Sequence, residues 1–209
     1  DYSNTVIYSS ARNAYIVPRM KRMMNRTVWA MTKQLRKGSF KPEGYEVSFG
    51  SGKIDRIDTC ETEDQVYVKI LDYKTGAKSF DMAAFYHGLQ MQLVVYMEEA
   101  VRLEERKHPG KKIVPAGIFY YRMKDPIVGK ELDEEKLEEA ILKELRLDGI
   151  IRQEDAVIQR LDADFSGNSL VIPAGKTKSG YSKASKMLLP EEFDAVLTYA
   201  QKRRTDLQG

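Results

Sequence analysis

Gly-Lys-Ile-Asp-Arg-Ile-Asp at residues 52–58 and Ile-Leu-Asp-Tyr-Lys-Thr-Gly at residues 70–76 are the two stretches that decide the fold of this chain. Each stretch sets an aspartate among apolar residues that are typical of a β-strand. Because residues i and i+2 of a strand point to the same face, Asp72 and Lys74 are predicted to project together. Tyr73 is then predicted on the opposite face.

A polar turn at residues 61–65 separates the two stretches and predicts that they pair as a hairpin, which brings Asp55 beside Asp72 and Lys74. Carboxylate oxygens suit Mg²⁺ or Mn²⁺, and Mg²⁺ usually takes only one or two carboxylates besides water and phosphate oxygens. A lysine there can stabilise negative charge developing on a phosphate. The trio predicts metal-assisted hydrolysis of a phosphodiester, although Asp-x-Lys also occurs as solvated surface charge.

Apolar residues recur at three- and four-residue steps from Phe80 to about Arg106 and predict one long helix. On this helix Gln92 and Tyr96 are four residues apart, so they share a face. An ordinary core helix with a buried tyrosine has the same pattern. The pair gains meaning from its position soon after the Asp-Tyr-Lys sequence at residues 72–74.

Three motifs therefore follow one another: Gly-x-Ile-Asp at 52–55, Asp-Tyr-Lys-Thr-Gly at 72–76 and Gln-Leu-x-x-Tyr at 92–96. In this order and spacing they resemble the RecB-type branch of the PD-(D/E)xK nucleases. The similarity is densest from residue 9 to 128. Further stretches resemble the C-terminal nuclease region of the B subunits of AddAB-type bacterial helicase–nucleases, namely residues 10–15, 45–50, 86–93, 123–127 and 181–193.

The resemblance implies an α/β (α+β) fold of the restriction-endonuclease type, with a mixed central sheet flanked by helices. Residues 1–209 would form a single RecB-like nuclease domain, a fragment of a larger protein. Its core would span about residues 43–128. Residues 129–209 would complete it with a helix, a basic loop and a C-terminal helix.

The resemblance also implies roles for five residues. Asp55 and Asp72 would bind Mg²⁺ or Mn²⁺, and Lys74 would be the catalytic lysine. Gln92 and Tyr96 would position DNA or the active site.

Relatives of this type usually carry four cysteines around the nuclease domain that hold an iron–sulfur cluster. This sequence has one cysteine, Cys60, and a lone cysteine cannot ligate a cluster. Because the sequence begins at Asp1 rather than at Met, we expect the cluster ligands to lie outside this fragment.

Composition is that of a folded domain, with 42% hydrophobic residues and a net charge of only +3. No apolar run approaches the roughly 20 residues of a membrane span, so no membrane partner is expected. A single cysteine suits a reducing compartment, and the resemblance implies the bacterial cytoplasm.

Basic residues are concentrated near the start: no acid occurs from Tyr2 to Pro42, a segment that includes Arg19, Arg22 and Arg26. An apolar stripe of Val17, Met20, Met24, Val28, Met31 and Leu35 predicts a helix there, with Pro18 in its first turn. The bases lie largely off this stripe. Three interpretations of these basic residues are open: a solvated helix face, a contact with the DNA backbone, and a contact with acidic parts of a longer protein.

The C-terminal third offers a second basic candidate. Lys176, Lys178 and Lys183 lie in a glycine-containing loop that either grips a phosphate backbone or forms a flexible hairpin tip. A short strand is predicted before it at 169–173, and a last helix after it at 190–204.

The expected function is a metal-dependent DNA exonuclease domain that hydrolyses phosphodiester bonds within a helicase–nuclease of double-strand-break repair and recombination. DNA and the A subunit of the same complex are the expected partners. One alternative is a non-catalytic DNA-binding or scaffold domain of that complex. Another is a free-standing RecB-like or Cas4-like exonuclease. The presence of Asp55, Asp72 and Lys74 argues against the first, and the helicase-subunit-like flanks argue against the second.

Overall fold

The computed structural model describes residues 11–50, 52–76, 79–88, 90–127 and 133–206. Its strands are β1 (Lys41–Phe49), β2 (Gly52–Glu61), β3 (Gln65–Lys74), β4 (Lys112–Arg122), β5 (Asp148–Arg152), β6 (Lys176–Thr177), β7 (Gly180–Tyr181) and β8 (Met187–Leu188). Its helices are α1 (Ala11–Leu35), α2 (Met82–Tyr86), α3 (Gln92–Lys107), α4 (Glu134–Glu144), α5 (Asp155–Leu161) and α6 (Pro190–Asp206).

Six strands form one mixed sheet in the order β1-β2-β3-β4-β5-β8, and β6 pairs with β7 separately. The β1–β2, β2–β3 and β4–β5 pairs are antiparallel. The β3–β4 and β5–β8 pairs are parallel. A parallel pair requires a crossover connection, which α2 and α3 supply between β3 and β4. The sheet and its helices confirm the predicted mixed α/β class.

Strand β3 is covered on both faces. Val66, Val68 and Ile70 pack on one side with apolar residues of α3 and α6. Tyr67 and Leu71 pack on the other side, where α5 and part of α1 complete a second core. Burial on both faces explains why β3 has a nearly continuous apolar run instead of an alternating pattern.

The two outer strands of the sheet are irregular or short. Edge strand β1 contains Pro42, its pairing register with β2 shifts between Pro42 and Gly44, and Glu46 has a left-handed backbone with φ of 52°. Strand β8 at the opposite edge has two residues.

The apolar periodicity from Phe80 to Arg106 predicts one long helix, and this prediction is wrong. The region forms α2 and α3, which are separated at Gly88, where φ is 76°. A glycine takes this left-handed conformation without the steric cost of a side chain, and it is a common way for a helix to end. The predicted strand at 169–173 is also wrong. Ser169 Oγ instead accepts the backbone N–H groups of Val171 and Ile172, both at 3.0 Å, and this local bonding competes with strand pairing.

Helix α1 corrects two expectations about the basic segment. Pro18 lies inside the helix rather than in its first turn. The apolar stripe is largely uncovered, because Met20, Met24 and Val28 are 52%, 59% and 64% exposed. Ala30 is buried instead, and Gln34 Nε2 donates at 3.1 Å to the carbonyls of two residues in the chain that follows α4. The packed side of α1 therefore combines the small Ala30 and the hydrogen-bonded Gln34 with the partly buried Trp29 and Met31.

The other elements agree with the sequence. The hairpin is β2–β3, the strand predicted at 113–121 is β4, and the last helix is α6. Within the described ranges, no helix is both long enough and apolar enough to cross a bilayer.

Gly149 is required for the close approach of β5 to β4. A Cβ atom at this position would lie 1.9 Å from the carbonyl oxygen of Ile118. We expect Gly149→Ala to lower the free energy of unfolding by about 3 kcal/mol, since the clash is with backbone and cannot be relieved by a rotamer change. Urea denaturation measures this loss. Gly76→Ala is the control, because nothing lies within 4 Å of its new Cβ, and equal losses for both variants would contradict the packing argument.

Tyr121 is 1% exposed, and its hydroxyl has no hydrogen-bond partner among the described residues. Burial raises the pKa of Tyr121 above its ordinary value of 10.0. The unfolded chain therefore releases this proton above pH 10 while the folded protein keeps it, so stability is lost as pH rises beyond 10. We expect Tyr121→Phe to gain stability relative to wild type by up to about 1.4 kcal/mol per pH unit in this range.

Urea titrations between pH 9 and 11.5 measure the difference. Tyr199→Phe is the control, because the side chain of Tyr199 is 52% exposed. A constant offset between Tyr121→Phe and wild type across this range would show that Tyr121 titrates alike in the folded and unfolded states.

Candidate active site

The carboxyl end of β3 carries the first part of the site. Lys74 Nζ forms an ion pair with Asp72 Oδ2, so the two side chains share a face as their spacing predicts. Asp72 is 5% exposed. Tyr73 lies on the other face, where its ring packs edge-on against Tyr121 and its hydroxyl accepts from Arg56 Nη1 at 3.4 Å.

Asp55 reaches this strand end from β2. The paired register of β2 and β3 runs as far as Arg56 opposite Leu71. Beyond it, the backbone N–H of Tyr73 donates to Asp55 Oδ2 at 2.8 Å. That nitrogen belongs to the peptide group that joins Asp72 to Tyr73. The Asp55 carboxylate is therefore bound to the peptide unit that directly follows Asp72, in a hairpin that the sequence predicts.

Tyr120 and Asp148 continue the site across the sheet. In the strand register Asp72 lies opposite Tyr120, which lies opposite Asp148. Lys74 Nζ is 5.4 Å from the centre of the Tyr120 ring. Burial, and then the charges of Asp72 and Asp148, raise the pKa of Tyr120, so its hydroxyl stays protonated at neutral pH. No local sequence signal identifies this row, because it depends on the register of strands far apart in the chain.

Gln92 and Tyr96 come from the first turns of α3. Gln92 Nε2 donates to Tyr96 Oη at 2.5 Å, as the shared helix face allows. The Tyr96 ring is 9% exposed and packs edge-on against Phe49, at a centroid distance of 5.5 Å. Tyr96 and Tyr120 belong to the same hydrophobic core, so α3 brings this pair toward the same row.

Asp148 and Lys186 hold the segment between the two motif regions. Asp148 Oδ2 accepts the backbone N–H of Phe80 at 2.8 Å, and its Oδ1 accepts from Lys186 Nζ at 2.6 Å. Lys186 Nζ also donates to the carbonyl of Phe80 at 2.8 Å. Both peptide groups of Phe80 are thereby fixed between Lys74 and Gln92. Sequence analysis missed Lys186, since it lies more than a hundred residues from the segment it holds.

The basic candidates Arg19, Arg22 and Arg26 belong to helix α1. Met31 of α1 contacts the hydroxyl of Tyr73, which places this helix on the opposite face of the sheet. Arg19 is exposed, Arg22 Nε lies 3.3 Å from Asp125 Oδ2, and Arg26 lies over the ring of Trp29.

The candidates in the C-terminal loop belong to the β6–β7 hairpin and its flank. Lys176, Lys178 and Lys183 are all exposed. Lys176 Nζ is 4.5 Å from the centre of the Phe165 ring.

The donor atoms at the end of β3 fit a hard divalent cation. Asp55 and Asp72 offer carboxylate oxygens, and one or two carboxylates are what Mg²⁺ usually takes from a protein. In the part of the chain that the structure describes, no three His, Cys, Asp or Glu side chains gather as a metal-binding group.

Comparison with known proteins agrees with this geometry. The sequence pattern of the PD-(D/E)XK nuclease superfamily matches residues 3–180. The B subunit of the ATP-dependent helicase/deoxyribonuclease of Alkaliphilus metalliredigens is 36% identical over 225 residues, which cover 97% of this chain and 20% of the relative. The protein of the same description from Lachnoclostridium phytofermentans is 37% identical, with 95% and 19% covered.

A third such B subunit, from Clostridium acetobutylicum, is 35% identical over 94% of this chain and 19% of its own length. The chain thus spans about one fifth of the length of these curated relatives. PD-(D/E)XK nucleases generally use divalent metal ions, in accord with the paired carboxylates. Because the family match extends over most of the sequence and includes Asp55, Asp72 and Lys74, the chain belongs to the PD-(D/E)XK nuclease superfamily.

Proposed function

We propose that this chain is the nuclease domain of the B subunit of an ATP-dependent helicase/deoxyribonuclease, and that it hydrolyses phosphodiester bonds of DNA as an exonuclease. Relatives of that description are 35–37% identical over 94–97% of the chain. The observation that carries the chemistry is the Asp72–Lys74 ion pair beside Asp55. These groups combine metal-binding oxygens with a cation at one end of the interior strands β2 and β3.

Asp55 and Asp72 are the proposed ligands of Mg²⁺ or Mn²⁺. When bound, the cation would supply a water of lowered pKa and neutralise charge on the phosphate. Lys74 is held by Asp72 and by the ring of Tyr120, which fixes its ammonium group close to the carboxylates. There it stabilises the negative charge that develops on the phosphate oxygens.

The neighbouring residues have positioning roles in this proposal. The hydrogen bond from Gln92 orients the hydroxyl of Tyr96, and Phe49 fixes the ring. Lys186 and Asp148 hold the backbone of Phe80, which lies in sequence between Lys74 and the start of α3.

Residues 1–209 are proposed to act as a single RecB-like domain, with a core at about 43–128. Strands β5 and β8 support this proposal, because they lie beyond residue 128 and extend the same sheet. The longer protein would work on DNA with the A subunit of its complex, in break repair and recombination in the bacterial cytoplasm. An iron–sulfur cluster there would need cysteines from outside this sequence, since Cys60 is buried in β2.

Asp72→Asn removes the charge that binds both the cation and Lys74. We expect Mg²⁺-dependent degradation of linear DNA to fall at least a thousandfold. Lys74→Met should lower kcat by about a hundredfold or more and change KM less than threefold, because its interaction is made in the transition state. Degradation of end-labelled DNA, with circular dichroism to confirm folding, measures both effects.

Asp64→Asn is the matched control, because Asp64 is an exposed aspartate at the opposite end of β3. Wild-type rates in Asp72→Asn would place the chemistry elsewhere. Wild-type protein that binds DNA but leaves it intact in Mg²⁺ and in Mn²⁺ would favour the non-catalytic DNA-binding domain.

Lys186→Met removes the hydrogen bond to the Phe80 carbonyl and the hydrogen bond to Asp148, which in turn accepts the Phe80 N–H. We expect kcat to fall about tenfold with little change in KM, since small misplacements of catalytic groups slow the chemical step. Lys186→Arg keeps the charge and should recover most of the rate. Lys111→Met is the control, because Lys111 likewise bridges a carboxylate, that of Glu61, and a backbone carbonyl, that of Thr62, at the other end of the sheet.

If Lys186→Met and Lys111→Met had equal kcat and differed only in thermal stability, Lys186 would have a structural role and no positioning role.

A further inference from the structure

A cleft of about 240 Å³ lies between helix α1 and the segment that follows β4. It is lined by Arg22, Asn25, Arg26, Trp29 and Asp125. The four residues from α1 are spaced three and four apart, so they form one continuous helix face. This face is distinct from the buried face at Ala30 and from the exposed apolar stripe.

The cleft presents the groups that recognise a phosphate. Arg26 and Arg22 each carry a planar guanidinium that matches phosphate oxygens with paired N–H donors, and the Asn25 amide adds a neutral donor. The Arg26 guanidinium lies 5.6 Å from the centre of the Trp29 ring, a cation–π contact that limits its rotation. Asp125 holds Arg22 at 3.3 Å and offsets one charge, which leaves a net charge of about +1 in the cleft.

The cleft lies near the strand end that carries the candidate active site. Lys74 pairs with Arg122 in the β3–β4 register, and the N–H of Met123 donates to the carbonyl of Lys74 at 2.9 Å. Asp125 is three residues beyond Arg122, a separation of at most about 11 Å along the chain. Helix α1 lies on the face of the sheet opposite Asp72. A DNA strand that leaves the active site must therefore bend around the ends of β3 and β4 to reach the cleft.

We propose that this cleft binds a backbone phosphate of the DNA strand undergoing hydrolysis, with Arg26 and Arg22 as its donors. Trp29 holds Arg26 in a fixed orientation toward the phosphate. The proposal rests on the proposed nuclease function, and it adds a contact site remote from the reacting bond.

Trp29 provides the measurement, because it is the single tryptophan of the chain. An oligothymidylate with a fluorescein label is titrated into the protein in EDTA, where no metal-dependent cleavage can occur. Tryptophan emission reports the cleft, and anisotropy of the label reports binding anywhere on the protein. We expect a saturable change in Trp29 emission whose midpoint agrees with the anisotropy and moves to higher concentration as salt increases.

Arg26→Gln should weaken the emission-detected affinity about tenfold, and Asn25→Ala about threefold. Arg36→Gln is the matched control, because Arg36 is an exposed arginine immediately after the same helix, and it should match wild type. Circular dichroism confirms that each variant is folded.

Two results would overturn the cleft assignment directly: oligonucleotide binding without a change in Trp29 emission, or equal affinity of Arg26→Gln and wild type. A third is saturation of the emission change by inorganic phosphate at the same phosphate concentration. That result would indicate a site for free anions. Cleavage in Mg²⁺ is measured in parallel. Normal cleavage with unresponsive Trp29 refutes the cleft alone. Responsive Trp29 with no cleavage refutes the nuclease proposal and leaves the cleft as a DNA-binding site.

Discussion

The site depends on a charged pair at the end of a strand that is otherwise apolar. A carboxylate as buried as Asp72, which is 5% exposed, carries a large desolvation cost unless a counter-charge is close. Lys74 supplies that charge from the same face, two residues on. Strand β3 is thus packed on both sides up to the point where its last residues meet solvent. The Asp72–Lys74 ion pair thus offsets the desolvation of the buried carboxylate. It also brings together a carboxylate and an ammonium group, which are suited to the hydrolysis of a phosphodiester.

The order of strands determines which further groups approach this pair. Strand β4 runs parallel to β3, so its Tyr120 lies opposite Asp72, and antiparallel β5 brings Asp148 into the same row. The crossover that parallel pairing requires is formed partly by α3, whose first two turns carry Gln92 and Tyr96. The same connection therefore closes the sheet topology and supplies two candidate site residues.

Local rules predict the hairpin, because the period of two and the polar turn specify both β2–β3 pairing and the shared face of Asp72 and Lys74. They do not predict Tyr120, Asp148 or Lys186, whose positions depend on register between distant segments. Local rules also fail to predict which side of helix α1 packs against the rest of the protein. The stripe at Met20 and Met24 has a helical period, yet periodicity alone does not determine which side of a helix its neighbours cover.

The irregular outer strands have a consequence for the behaviour of the protein at high concentration. A long flat edge strand offers unpaired N–H and C=O groups that recruit further chains and begin aggregation. In β1 the proline, the register shift and the left-handed Glu46 interrupt that row, and β8 is too short to offer one. Ordered polymerisation through either edge of this sheet is therefore disfavoured, and replacing Pro42 or straightening the backbone at Glu46 would remove part of that protection.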